Sequence, residues 1–76
     1  MKLFVRLMSG KTITLDDVIP ANDTIDGIKA MIEEKEEIPK AQQLLILGGR
    51  ELDGNRTLYH YNIGEEYTLT LVVVGF

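Results

Sequence analysis

A mixed α+β fold, one helix laid across a β-sheet, is what this chain predicts. Two short alternating apolar runs open it, and a single stretch with helical spacing follows. Three β-rich segments separated by glycine turns close it. Residues 1–7 alternate, with Met1, Leu3 and Val5 on one side and Lys2, Phe4 and Arg6 on the other, as in a half-buried strand. Met8-Ser9-Gly10-Lys11 reads as a turn, and Thr12-Ile13-Thr14-Leu15-Asp16 alternates again, which makes a hairpin. Asp17–Asn22 is a connection that includes Pro20, a residue without a backbone donor.

The helix starts at Asp23-Thr24, either of which can cap free N–H groups, with Asp26 in the first turn. Ile25, Ile28 and Ile32 share one face, and Ile38-Pro39 is the expected end, because a residue before proline avoids the α region. Gly27 inside the helix is unfavourable by about 1 kcal/mol relative to alanine, so packing must hold that turn. Leu44–Leu47 is an apolar strand, Gly48-Gly49 a tight turn, and Arg50-Glu51-Leu52 the return. Asp53-Gly54-Asn55 is another turn, Thr57–Ile63 a short helical turn and loop, and Tyr67–Val74 a long last strand. The order is β-β-α-β-β-β, and a lone helix can bury its isoleucines only against the sheet.

Length and composition narrow the function. Seventy-six residues make a single domain with a small core. Hydrophobic residues at 45% and charged residues at 26% describe a globular chain. The lack of cysteine excludes disulfides, thiolate catalysis and cysteine zinc sites, and fits a reducing compartment. A net charge of −4 with scattered Lys and Arg disfavours nucleic acid or an anionic membrane as partner. No apolar run reaches the roughly 18 residues of a membrane span, and the opening residues do not read as a signal peptide. His60 is the only histidine and reads as a surface side chain. Gly48-Gly49 lacks the Lys-Ser pair of a phosphate cradle, and Glu33–Glu37 reads as a solvated helix face that opposes the dipole and frays the last turn. The chain is not expected to be an enzyme or to hold a metal or cofactor.

Several runs match one family in order and spacing. Gly10-Lys11-Thr12-Ile13-Thr14-Leu15, Asp23-Thr24-Ile25, Ile38-Pro39, Gln42-Gln43, Arg56-Thr57-Leu58 and Tyr61-Asn62-Ile63 resemble the ubiquitin family from Met1 to about Val72, with a short insertion within Asp16–Asn22. The resemblance implies a β-grasp fold, a single ubiquitin-like domain over 1–76 with a core at 1–72 and a divergent tail at 73–76. It also implies an apolar recognition patch on the outer sheet face. The matching residues are Met8, which replaces a leucine, with Ile46 and Val72; Leu44, Thr70 and Val74 border them. The pattern agrees: if Leu45, Leu69 and Leu71 face inward, then Leu44, Ile46, Thr70 and Val72 face outward. The plainer reading is that a small domain exposes some aliphatic surface in any case. Tyr61 resembles the family's structural tyrosine, whose hydroxyl would tie the loop near Asp53.

The departures are as informative. The family pattern has arginine at the positions matching Leu44, Val74 and Phe76, and histidine at Thr70; a Gly-Gly terminus has no match, since Gly75 is followed by Phe76. The resemblance implies that activating enzymes need the basic groups and a terminal glycine, and that phenylalanine obstructs their narrow channel. Lys11, Lys29 and Lys35 match acceptor lysines for chain conjugation, whereas Arg6, Met31, Arg50 and Glu65 stand at the other acceptor positions. Arginine stays protonated and cannot attack a thioester.

The expected function is therefore a protein-interaction module read non-covalently through the patch and not conjugated. Expected partners are ubiquitin-binding domains, proteasome subunits or deubiquitinases, met as a monomer in the cytoplasm, the nucleus or both. The alternative is a divergent modifier released from a polyubiquitin-like precursor by C-terminal processing. A folded scaffold without either role is the third reading.

Overall fold

The computed structural model describes residues 1–75, and the expected role of Phe76 in obstructing activation lies outside them. β1 (Leu3–Arg6) and β2 (Thr12–Leu15) form the opening hairpin, and α1 spans Ile25–Glu36. β3 (Gln43–Leu47), β4 (Arg50–Glu51) and β5 (Thr68–Val73) complete a five-stranded sheet in the order β2-β1-β5-β3-β4. β1 and β5 run parallel and the other neighbours antiparallel. A parallel pair needs a crossover, and α1 lies within it. This is the β-grasp arrangement, with one helix across a mixed sheet.

Register brings the apolar positions onto one face. Leu3 lies opposite Leu15, Val5 opposite Ile13 and beside Leu69, and Leu45 opposite Leu71. All of these are buried, and Ile25, Ile28 and Ile32 of α1 close over them with no exposed surface. Thr24 caps α1: its Oγ1 accepts from the Gly27 N–H at 3.1 Å. Around Gly27 a methyl would meet only that Oγ1, at 3.5 Å, so the glycine is not there to relieve crowding. The helix start is docked on the 53–58 segment through Ile25 N–H to Arg56 O and Asp26 N–H to Gly54 O.

Several boundaries differ from the sequence pattern. α1 stops at Glu36, before Ile38-Pro39, because Glu37 takes a left-handed conformation (φ 58°) and donates to Glu33 O at 2.8 Å. β3 begins at Gln43, a polar residue 2% exposed. Its Nε2 donates to Lys29 O and Ile38 O at 3.0 and 2.8 Å, tying the end of α1 to the sheet. Its Oε1 finds no partner among the described residues, which offsets part of that gain. β5 runs Thr68–Val73, one residue shorter at each end than the expected Tyr67–Val74, although the Val74 N–H still donates to Gln42 O.

The insertion within Asp16–Asn22 folds as a compact loop. Val18 is 1% exposed and exchanges both backbone bonds with Met1, at 2.9 and 3.1 Å. Ile19 points to solvent, and its carbonyl accepts from Asn22 and Asp23. Val18 alone therefore anchors this end of the sheet. In the second half, the Tyr61 hydroxyl accepts from Asp53 N–H at 2.8 Å, the tie that the family resemblance implies. Tyr61→Phe should lower stability by about 0.5–1.5 kcal/mol, because Asp53 is exposed and its amide can turn to water; urea unfolding of the two proteins measures it.

Candidate functional site

Among the described residues no helix lies over the outer face of the sheet, and alternation sends every second residue of β3 and β5 there. Register sets the neighbours: Leu44 opposite Val72, and Ile46 opposite Thr70. Leu44, Ile46 and Val72 are half-buried rather than fully exposed, and Thr70 is exposed. Directly opposed side chains cover part of one another, which the alternation pattern cannot convey. The strip is bordered by Arg6, beside Thr70 on β1, and Glu51, opposite Ile46 on β4.

Met8 joins the strip by an unexpected route. β5 turns the N–H groups of Val72 and Val74 toward β3, so that of Val73 points the other way. There β1 has already ended at Arg6, level with Thr70. Met8, in the loop after β1, brings its Sδ to 3.4 Å from the Val73 N–H and accepts from it. Met8 itself is 69% exposed. A thioether thus stands where a strand carbonyl would be. Val73, at 37% exposure, is apolar surface at the same end of β5, but alternation puts its side chain on the face of Leu69 and Leu71 and not in the strip. Leu71 is the last buried residue of β5, so the strand outruns the core, a fact visible only once the sheet register is known. Val74 is half-buried beside Gln42.

The structure thus joins Leu44 with Val72, Ile46 with Thr70, and Met8 with the end of β5. The three candidate acceptor lysines are dispersed. Lys11 Nζ pairs with both carboxylate oxygens of Glu36 at 3.1 Å, Lys29 is half-buried on α1, and Lys35 is exposed in the last turn. Glu36 is accordingly not part of a free acidic face, and Glu33 accepts from Lys40 N–H at 3.4 Å. His60 is exposed, with its ring edge-on to Tyr61 at 5.0 Å. A shallow depression between the end of β2 and α1 is lined by Leu15, Asp16, Asp17, Met31, Glu34 and Lys35, away from the strip. No helix among the described residues is long and apolar enough to cross a membrane.

Sheet order, helix placement and the apolar strip together define a ubiquitin-like protein. The chain belongs to the ubiquitin family, whose sequence profile matches residues 3–74. It is 40% identical over 77 residues to Ubiquitin-like protein 1 of Schizosaccharomyces pombe, covering 99% of this chain and 96% of that protein. It is 38% identical over 73 residues to Ubiquitin-like protein NEDD8 of Dictyostelium discoideum, covering 96% and 92% respectively. Ubiquitin-like protein 4A of Xenopus tropicalis is 34% identical over 73 residues, but this chain spans only 48% of that longer protein. Membership makes this a small modifier or interaction protein, not an enzyme.

Proposed function

We propose that this protein is an interaction module, read non-covalently through Met8, Leu44, Ile46, Thr70, Val72 and Val74, and not itself conjugated. The observation that carries the reading is the cross-strand pairing of Leu44 with Val72, next to Ile46, on a sheet face that no element among the described residues covers. Adjacent aliphatic side chains on an open face give a partner one continuous apolar contact. Helical ubiquitin-binding domains, proteasome subunits and deubiquitinases are the partners we assign, met by a monomer in the cytoplasm, the nucleus or both. The cysteine-free sequence suits such reducing compartments.

Apolar residues at Leu44 and Val74 are the argument against conjugation. An activating enzyme that selects arginine there would bury its acidic contacts against aliphatic groups, leaving carboxylates without partners. Incubation with ubiquitin-activating enzyme and ATP should give no thioester on a non-reducing gel. A DTT-sensitive adduct would refute the non-conjugated reading. A second reading, a divergent modifier released by processing, draws support from the relatives that this chain spans almost end to end. The longer relative shows the other format, a ubiquitin-like unit within a larger chain.

A further inference from the structure

We propose that Met8 is a peroxide-responsive modification site whose oxidation switches the apolar strip between two states. The inference rests on the recognition reading for its consequence, but not for its chemistry. Of the three methionines, Met1 and Met31 pack against the core, and Met8 is 69% exposed. The Met8 sulfur also has a structural task, accepting the Val73 N–H at 3.4 Å. A thioether sulfur carries two lone pairs, so accepting that N–H leaves one for an oxidant.

The reaction needs a hydroperoxide. The free sulfur lone pair attacks one peroxide oxygen; an S–O bond forms as the O–O bond breaks. The proton of the transferred hydroxyl passes to the departing oxygen, which leaves as water, or as an alcohol from an alkyl hydroperoxide, and the sulfoxide remains. Sulfur is oxidised by two electrons and the peroxide is reduced by two. The product sulfoxide is polar, and its oxygen is a far better acceptor than a thioether. Two effects follow from one change. The Val73 amide gains a stronger partner, next to Val72 in the strip. The strip also loses an apolar side chain at its edge and gains a dipole that a greasy partner must desolvate. Sulfoxide reductases reverse the product, so the change can act as a switch. Leucine at this position, as in the family pattern, would supply the apolar contact but neither the acceptor nor the chemistry.

The folded protein should be treated with limiting hydrogen peroxide and followed residue by residue by mass spectrometry. Met8 should oxidise roughly tenfold faster than Met1 or Met31, following exposure. The Val73 amide should shift downfield in a proton–nitrogen correlation spectrum as the sulfoxide forms. Affinity for a three-helix ubiquitin-associated domain should fall roughly fivefold and return after reductase treatment. For Met8→Leu, the ratio of affinities after and before peroxide should not change, whatever its starting value. Equal oxidation of all three methionines, an unmoved Val73 amide, or equal peroxide sensitivity in Met8→Leu would each overturn the proposal. A domain that never binds the untreated protein would overturn the recognition reading and the switch built on it. Selective oxidation and the Val73 shift would then decide the modification site by themselves.

Discussion

Leu45→Ala should destabilise the protein by about 2–5 kcal/mol, the range for a fully buried leucine whose cavity cannot collapse. Leu45 has no exposed surface, lies opposite Leu71, and its carbonyl accepts the Leu52 N–H at 2.9 Å. It therefore joins three layers of contact: β5, the strand-return segment and the face of α1. A domain of this size has about 5–15 kcal/mol of stability at most, so the loss should be visible as a large fall in melting temperature. At about 4–8 °C per kcal/mol, the midpoint should drop by at least roughly 8 °C. Thermal melts followed by circular dichroism measure it. A drop of one or two degrees would mean that the sheet is not packed on α1 as described.

Ile46→Ala should have the opposite profile. Ile46 is half-buried on the outer face, so removing its branches forfeits only partial burial, about 0.5–1 kcal/mol. Binding should suffer more. An apolar anchor at the centre of a helix-in-groove contact is worth about 1–2 kcal/mol, or roughly a 5–30-fold rise in Kd. Isothermal titration with a three-helix ubiquitin-associated domain gives the value, and the melts show that the fold has survived. Adjacent residues on one strand would then separate stability from recognition, because β3 has one face in the core and the other in solvent.

Much of this architecture was legible because it is local. Alternation at Leu3, Val5, Ile13 and Leu15 gives the hairpin. Thr24 with the isoleucine spacing gives the helix, and Gly48-Gly49, at φ 60° and 79°, gives the turn that returns β3 to β4. Features that depend on distant neighbours were less legible. Gln43 reads as polar surface until its amide is seen against Lys29 O and Ile38 O. Glu37 in a left-handed conformation has no signal in an acidic run, since glycine is the usual marker of such a helix end. The outward aliphatic residues of the strip follow from period-two alternation, and their partial burial does not, because cover comes from the opposite strand. Met8 reaching Val73 joins residues 65 apart in sequence and depends on where β1 ends beside β5. The exposure of Val73 has the same origin.

The central claim is that recognition runs through the outer sheet face, and backbone amide shifts during titration with the unlabelled ubiquitin-associated domain test it most directly. The claim predicts that the largest changes fall on Met8, Leu44, Ile46, Thr70, Val72 and Val74, with Val73 among them because its N–H is bound to Met8. Arg6 and Glu51 should move less, at the border, and Ile19, Asp53 and the α1 amides should stay still. Changes centred on α1 or on the 53–61 segment, or no change at millimolar domain, would contradict it.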